Sequence, residues 1–418
     1  PQLKKKGCEL LTELEQEYGS LVKFPLPGVR GILVNDHKMV QMILRQTERN
    51  FYKGKLYKLL EPIVGMGLVN NQGPSWKIRR RTLNPLFKEG AFSIEEAFKK
   101  IYPSLKKELL NQKKSDHTLI FSRVTFETLM ELFFSGYQGK RFGELSHSFS
   151  QIQNYLGKVF WSFLRFPLWL PTPLNMKTKK ALAIMHKQVY EVLKNSKKNK
   201  GQSILVDRLS SAKDPKTGKT LSDREIADEI ITFFIAGHDT TALTLTFTCF
   251  FLANNKSVLR KVQTELDQLK IFNLEELKKC EQLQAAISES MRLLPAAFMI
   301  NRSNSDWVKI GKYNFAPHTT FFLSQYAMHR SKRYWKNPDK FNPERFREDP
   351  SPEAYFPFGG GPRTCLGNHL ALAECLLFLG SILRDLEPVT ATNKFKVKAN
   401  LTATPDQKLC ISWRERRV

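Results

Sequence analysis

A single cysteine lies at the end of a glycine-rich stretch in the 418-residue chain. Residues 356–367 read Phe-Pro-Phe-Gly-Gly-Gly-Pro-Arg-Thr-Cys-Leu-Gly, and a helical pattern follows from about Asn368 to Leu383. Glycine adopts backbone conformations closed to other residues, so this segment can approach a flat ligand closely. Cys365 precedes the predicted helix, whose dipole and free N–H groups stabilise a thiolate. The pattern indicates a metal ligand or a nucleophile, and the nearby His369 keeps the second alternative open.

A second group of polar residues interrupts a long apolar segment, residues 230–253. The segment is long enough to span a bilayer, but an aspartate at its centre costs about 2.5–3.5 kcal/mol on insertion scales. Acidic residues precede it and Lys256 follows it, which suits the helix dipole. We therefore predict a helix buried on all sides. Its glycine and threonines indicate either a loosened or bulged turn or, equally, a helix crossing whose small residues allow close packing. These central residues are Ala236, Gly237, His238, Asp239, Thr240 and Thr241.

The composition is that of a globular protein with an unusual charge. Hydrophobic residues make up 41%, and 66 Lys+Arg oppose 40 Asp+Glu, a formal net charge of +26. Such a balance suggests nucleic acid, an anionic membrane or an acidic protein as a partner. No basic and aromatic interleaving or known module supports nucleic acid, which is therefore the weakest alternative. Six scattered cysteines without a CxxC pair favour a reducing compartment.

Secondary-structure patterns predict a mainly α protein with small β-sheets, of the α+β class. Helical spacing covers residues 83–113 and 175–198. Neither a strand–helix alternation nor a phosphate-binding loop is present. We expect one domain over residues 1–418, with a small sheet region beside a large helical one. Short strands are predicted at residues 21–24, 32–35, 307–310, 319–323 and 408–413.

The cysteine segment resembles the haem-binding signature of the cytochrome P450 family. The matching positions are Phe358, Gly361, Arg363, Cys365 and Gly367. The resemblance implies a P450 fold, with a long central helix over a haem b and the cysteine loop on the opposite side. It makes Cys365 the thiolate ligand of the iron, and Phe358 and Gly367 part of the cofactor site.

Further motifs occur in the order found in the family. Glu289 and Arg292 resemble the ExxR pair, and Arg345 lies in a PERF-like segment, which implies a structural Glu–Arg–Arg network. Trp76 and Arg80 resemble the WxxxR element, and their spacing of four places them on one helical face. The resemblance assigns the haem propionates to Trp76, Arg80, Arg302, His329 and Arg363.

The central helix resembles the family's oxygen-activation motif. Asp239 and Thr240 form its acid–alcohol pair, which implies proton delivery to dioxygen. Ala236 and Gly237 would lie beside the haem. His238 is expected to face the substrate cavity or a neighbouring helix rather than the iron.

The resemblance implies a monooxygenase that hydroxylates or epoxidises an apolar substrate such as a fatty acid, terpenoid or polyketide-like molecule. We expect no fused reductase domain, and we expect two electrons from NAD(P)H through a separate ferredoxin, flavodoxin-like protein or reductase. Arg80 is expected to turn inward to a propionate, and Lys77, Arg79 and Arg81 are predicted to form the basic docking face for this partner. The expected substrate contacts are Leu59, Leu60, Val64, Phe233, Ala296, Phe298, Met299 and Ala403.

A cytoplasmic location is expected, with an upstream membrane anchor left open. The aromatic segment 160–171 suggests a lid that also contacts a membrane peripherally, or equally a helix end packed into the core.

Overall fold

The structure is a computed structural model that describes residues 2–24, 29–88, 94–111, 115–134, 142–160, 166–198, 204–349, 352–392 and 394–416. Helices dominate and strands are short, which confirms the predicted α+β class. The helices are α1 (Gln2–Lys6), α2 (Glu9–Tyr18), α3 (His37–Arg45), α4 (Glu61–Val64), α5 (Gly73–Leu83), α6 (Ile94–Asn111), α7 (His117–Phe134), α8 (Phe142–Phe160), α9 (Pro173–Lys198), α10 (Ile204–Ser211), α11 (Asp223–Asn254), α12 (Lys256–Asp267), α13 (Leu274–Leu277), α14 (Glu281–Leu293), α15 (Gln325–Met328), α16 (Glu344–Glu348) and α17 (Asn368–Asp385). The strands are β1 (Leu21–Lys23), β2 (Gly31–Val34), β3 (Phe51–Tyr52), β4 (Ile300–Asn304), β5 (Val308–Ile310), β6 (Tyr313–Phe315), β7 (Thr320–Leu323), β8 (Leu386–Ala391), β9 (Val397–Ala399), β10 (Ala403–Pro405) and β11 (Ile411–Glu415).

The chain divides into two compact units. The first comprises Pro1–Phe51, Ile94–Thr125 and Asp239–Val418, and the second comprises Tyr52–Ser93 and Phe126–His238. Helix α11 contributes its first half to the second unit and its second half to the first. The expectation of one domain over residues 1–418 stays a prediction.

A five-stranded sheet in the order β1-β2-β7-β4-β3 organises the amino-terminal part of the first unit. Strand β2 pairs parallel to β7, with Leu33 opposite Phe322, while β1 pairs antiparallel to β2 and β4 pairs antiparallel to β7. Helix α3 packs on this sheet through the buried side chains of Val40, Ile43 and Leu44. The end of α3 is thereby fixed close to the sheet.

Helix α9 confirms the predicted helix over 175–198, whereas the single helix predicted over 83–113 is wrong. Helix α5 ends at Leu83, a short 3-10 helix covers Asn84–Phe87, and α6 begins only at Ile94. Pro85 explains the end of α5, because proline has no backbone N–H to continue the hydrogen bonds of the helix.

Helix α11 is continuous from Asp223 to Asn254, so the predicted loosened or bulged turn is wrong. Its threonine hydroxyls donate to carbonyls one turn back, as from Thr244 Oγ1 to the Thr240 carbonyl at 3.0 Å, without opening the helix. Among the described residues it is the one helix long and apolar enough to cross a membrane. Of its most apolar window, 61% is buried inside the protein, which suits a core helix. The predicted burial on all sides is wrong at the middle of the helix, where Ala236 is exposed.

Candidate functional site

Backbone geometry explains the glycines of the cysteine loop. Gly361 has φ +65°, and a Cβ added there would lie 2.1 Å from the carbonyl oxygen of Leu44, so only glycine fits. The Cys365 N–H donates to the Phe358 carbonyl at 2.9 Å, which closes the loop before α17. These contacts hold Cys365 one turn before the helix, with Gly367 at the N-cap position.

Exposure separates Cys365 from the other cysteines. Its side chain is exposed, whereas Cys8, Cys249, Cys280 and Cys375 are buried. Burial raises the pKa of Cys280 to about 11, and it raises the pKa of the other three buried thiols further. Those four therefore stay protonated and inert at neutral pH. Cys410 is partly exposed, and Cys365 is the exposed cysteine that lies on the glycine loop.

A buried ionic network lies in the same unit. The Glu289 carboxylate accepts hydrogen bonds from Arg292 Nε at 2.7 Å, Arg292 Nη2 at 2.9 Å and Arg345 Nε at 3.0 Å. It also accepts the Asn342 N–H at 2.8 Å. The side chains of Glu289 and Arg292 are fully buried. The structure thus brings together the three residues of the predicted structural network.

His329 joins this network to the cysteine loop. Its carbonyl oxygen accepts a hydrogen bond from Arg292 Nη1 at 2.6 Å, and its Nε2 accepts the Phe356 N–H at 3.0 Å. Burial, with Arg292 and Arg330 nearby, lowers the pKa of His329 well below its ordinary value, so the ring is neutral and can accept. His329 therefore anchors the first residue of the loop, while its contact with a haem propionate stays a prediction.

This hydrogen bond makes stability depend on pH. Unfolded His329 takes up a proton near pH 6.5, whereas the folded state resists it, so stability is full above pH 6.5 and falls as the pH drops below it. One such group contributes up to about 1.4 kcal/mol per pH unit. We expect His329→Gln, which keeps an acceptor but cannot titrate, to flatten the loss of unfolding free energy between pH 6.5 and 5. Equal slopes in chemical denaturation of both proteins would contradict the assignment.

Two predicted propionate ligands, Arg302 on β4 and Arg363 in the cysteine loop, are held by neighbouring residues after α3. Arg302 Nε donates to Thr47 Oγ1 at 3.2 Å. Arg363 Nε donates to Glu48 Oε1 at 2.8 Å, and its Nη2 donates to the same oxygen. Both guanidinium groups are therefore fixed within the first unit.

In the second unit, helix α5 carries Trp76, which is buried, and Arg80, which is half-buried. The predicted docking face is wrong for Arg79, because this side chain is buried and donates to Glu229 Oε1 at 2.8 Å and to Glu225. Arg81 is half-buried, and its guanidinium forms two hydrogen bonds with the buried Asp214 carboxylate, so its part in a docking face stays a prediction. An internal carboxylate explains the charge of Arg79 and pairs with that of Arg81.

The central residues of α11 differ in burial. Ala236 is exposed, and Gly237, Asp239 and Thr240 are half-buried. His238 is buried and packs edge-on against Phe149 of α8, with ring centroids 4.3 Å apart. His238 therefore contacts a neighbouring helix, which is one of the two environments predicted for it.

Some of the predicted substrate contacts lie in the first unit and the others in the second. In the first unit, the Ala403 N–H donates to the Ala296 carbonyl at 2.9 Å, so these two residues are adjacent, and Phe298 is buried while Met299 is half-buried. In the second unit, Phe233 packs against Phe87 and Phe133. Also in the second unit, Val64 is buried, and Leu59 and Leu60 are half-buried.

Comparison with known proteins decides the family. The cytochrome P450 family model matches residues 1–409. This chain belongs to the cytochrome P450 family. The mouse (Mus musculus) protein "Cytochrome P450 4V2" is 29% identical, over 94% of this chain and 81% of the relative. The Bacillus subtilis protein "Bifunctional cytochrome P450/NADPH--P450 reductase 2" is 29% identical, over 97% of this chain and 40% of the relative. "Protein LUTEIN DEFICIENT 5, chloroplastic" of Arabidopsis thaliana is 25% identical, over 97% and 74% respectively.

Family membership confirms the fold, the haem monooxygenase class and a haem with a cysteine thiolate ligand, served by electrons derived from NAD(P)H. The residues of this P450 fit that cofactor. A thiolate suits iron, and Cys365 is an exposed thiol at the end of a loop whose glycines permit close approach. Two buried arginines lie in the same unit and could meet carboxylates.

Sequence reasoning missed a turn that is clamped to the first half of α11. The Met66 and Leu68 N–H groups donate to Asp228 Oδ2 at 3.1 Å and Glu229 Oε2 at 2.9 Å. A Cβ at Gly67 would lie 2.0 Å from Thr232 Oγ1. The spacing of Gly65 and Gly67 was the available signal, but it does not indicate which helix lies opposite.

The clamp predicts a large effect for a small substitution. Gly67→Ala would force the turn away from α11, and overpacking of this kind costs about 1–3 kcal/mol. We expect a lower melting temperature and weaker substrate binding, measured by calorimetry and optical titration. Gly157→Ala is the matched control, since no atom of the described residues outside its own helix backbone lies within 4 Å of the added Cβ. Equal effects of the two substitutions would refute the clamp.

Proposed function

We propose that this P450 binds haem b through the Cys365 thiolate and oxygenates an apolar organic substrate with two electrons from a separate redox protein. The observation that carries the proposal is the exposed Cys365 thiol, held on a glycine loop by the Phe358 carbonyl. Haem bound there supplies the one-electron and dioxygen chemistry. Arg302 and Arg363, with Trp76, Arg80 and His329, are proposed to hold its propionates, and Phe358 and Gly367 to flank the thiolate.

Asp239 and Thr240 are proposed to move protons to dioxygen. Both lie near the middle of α11 and are half-buried, so solvent can reach them. A threonine hydroxyl can hold a water molecule, and a carboxylate in contact with solvent can resupply the proton. Gly237 carries no side chain, and a Cβ there would meet only Leu129. Together with Ala236, it leaves room beside this face of the helix.

Thr240→Ala is expected to uncouple electron use from product formation. Without the hydroxyl, protons arrive at the wrong place or time, and reduced dioxygen leaves as hydrogen peroxide. General acid–base groups contribute about 10²–10⁴-fold, so most electrons should be diverted. The measurement is peroxide and product formed per NAD(P)H with a substrate that binds.

The conservative variant Thr240→Ser keeps a hydroxyl and should retain most of the coupling. Unchanged coupling in Thr240→Ala, with substrate binding intact, would refute the proton relay.

The substrate is proposed to be apolar, because the predicted contacts are mostly apolar; a fatty acid, terpenoid or polyketide-like molecule fits. A cavity of about 350 Å³ in the second unit adds a polar element. Its lining includes two cations, Lys58 and Arg224, beside Pro62, Met66 and Glu61. Cations beside apolar side chains suit a carboxylate on an alkyl chain, which favours the fatty acid. The name of the Arabidopsis relative refers to lutein, which supports a terpenoid alternative.

Optical titration separates these substrates. Long-chain fatty acids, their methyl esters and cyclic terpenoids would be compared for displacement of the water on the haem iron. Tighter binding of acid than ester supports the fatty acid, and Lys58→Gln should remove that preference. Equal binding of acid and ester would contradict it.

The electron donor is proposed to be a ferredoxin, a flavodoxin-like protein or a reductase with an acidic surface. Of the predicted docking residues, Lys77 is exposed and remains available to such a partner. Lys77→Glu should slow electron transfer in a salt-dependent way and leave substrate binding unchanged. Equal loss of both would contradict docking at this helix.

Cytoplasmic location with peripheral membrane contact is proposed. Phe166, Trp169 and Met176 expose 51%, 73% and 59% of their surface, and lysines follow on α9. Residues 161–165 of the predicted aromatic lid lie outside the described residues. Apolar side chains next to lysines suit an anionic bilayer surface. Sedimentation with anionic phospholipid vesicles tests the contact, and protein left wholly in the supernatant would contradict it.

A further inference from the structure

Two consecutive side chains, Thr47 and Glu48, hold the two arginines of the first unit that are proposed for the haem propionates. Thr47 Oγ1 accepts a hydrogen bond from Arg302 Nε at 3.2 Å, and Glu48 Oε1 accepts one from Arg363 Nε at 2.8 Å. One short turn after α3 therefore reaches both a strand of the sheet and the cysteine loop.

The turn is fixed by its own hydrogen bonds. Thr47 Oγ1 donates to the Ile43 carbonyl at 2.9 Å, and the Glu48 N–H donates to the Phe51 carbonyl at 2.7 Å. Glu48 has φ +73°, a conformation that non-glycine residues adopt rarely and at some cost. A left-handed residue held between fixed neighbours presents its side chain in one direction. The conformation is therefore part of how Glu48 meets Arg363.

Contact between the turn and the loop is equally constrained. Gly361, two residues before Arg363, passes so close to the Leu44 carbonyl that a Cβ would lie 2.1 Å from it. The end of α3 thus touches the cysteine loop at its backbone as well as through the Arg363 ion pair. Movement of one segment would disturb the other.

Burial makes the charge of Glu48 important. The side chains of Arg363 and Glu48 are only 3% and 5% exposed. A buried cation without its partner acts strongly on neighbouring charges, because little water screens it. Arg363 precedes Cys365 by two residues, so its net charge acts close to the thiolate.

We propose that Glu48 is a positioning residue of the haem site, which orients Arg363 and compensates its positive charge, while Thr47 orients Arg302. The inference rests on the proposed role of Cys365 as the iron ligand. A change in Glu48 should therefore alter the properties of the bound haem without removing the thiolate.

The test compares three haem-loaded variants. Glu48→Gln keeps the shape of the side chain and an oxygen acceptor but removes the charge. The reduction potential of its haem should become more positive, because the uncompensated Arg363 favours the added electron. Thr47→Val removes the two hydrogen bonds of the hydroxyl, one from Arg302 and one to the Ile43 carbonyl, without a change in charge, so its potential should match wild type. Its haem should transfer to apomyoglobin about tenfold faster. Glu9→Gln, an exposed carboxylate, is the control.

The double variant Glu48→Gln/Arg363→Gln replaces the ion pair with a neutral pair, and its potential should return toward that of wild type. An unchanged potential in Glu48→Gln would overturn the proposal, as would equal shifts in the single and double variants. If Glu48→Gln does not retain haem, Glu48→Asp, which keeps the negative charge and leaves Arg363 in place, should retain it, and loss of haem there would overturn the proposal. The wild-type protein must first show the absorbance spectrum of a haem with a thiolate ligand. If that spectrum is absent, the result refutes ligation by Cys365 and not the role of Glu48.

Discussion

Cys365→Ser is expected to abolish oxygenation by this P450. Serine keeps the size of the side chain and the loop geometry, but its hydroxyl is a poor and weakly electron-donating ligand for iron. The family's chemistry depends on a thiolate that pushes electron density to favour O–O cleavage. We expect product formation to fall below detection. The secondary structure should stay the same, because the backbone N–H of residue 365 still donates to the Phe358 carbonyl. Product analysis and haem content per chain measure the effect.

The matched control is Cys410→Ser. Cys410 is the only other cysteine with partial exposure, and it lies just before β11. The Cys410→Ser protein should keep both product formation and its haem. Retained oxygenation in Cys365→Ser, or equal loss in both variants, would contradict the assignment of Cys365.

Glu289→Gln is expected to have the largest effect on stability. The carboxylate accepts four hydrogen bonds in a fully buried position, three of them from arginine nitrogens. An amide has one acceptor oxygen and no charge, so it leaves Arg292 and Arg345 uncompensated. Removing one partner of a buried ion pair costs about 3–5 kcal/mol, a large share of the 5–15 kcal/mol that holds a typical domain together. We expect little soluble haem protein, measured by expression yield and thermal unfolding.

Glu281→Gln provides the control on the same helix, α14. The Glu281 side chain is 73% exposed and pairs at 3.6 Å with Arg347, so its loss should cost less than about 1 kcal/mol. Arg345→Lys, which keeps a charge near Glu289, should fall between the two. A Glu289→Gln protein as stable as Glu281→Gln would show that the network does not support the fold.

Residues with a local role were predictable from the sequence. The cysteine loop could be predicted for two reasons. Its backbone conformation requires glycine, as at Gly361, and binding of iron by a thiolate requires a cysteine. The long central helix could be found because its apolar pattern and acidic start are local properties. Its true start, at Asp223, lies seven residues before the apolar segment, since acidic residues suit a helix amino terminus.

Features that depend on distant partners could not be predicted. Strand β4 carries Asn301, Arg302 and Ser303, whose polarity hides a strand that is buried in the sheet. Arg79 has the composition of a surface cation, and only the fold brings Glu229 to it. No pattern in the sequence indicates a role for Glu48, because its partner Arg363 is more than 300 residues away in the chain.

The most direct test of Cys365 ligation is the absorbance spectrum of the reduced protein with carbon monoxide. Haem with a thiolate ligand gives a strongly red-shifted Soret band under these conditions. We predict this band for the wild type and for Cys410→Ser, and its loss in Cys365→Ser. A folded, haem-loaded wild type without the band, or a Cys365→Ser protein that keeps it, would contradict the account.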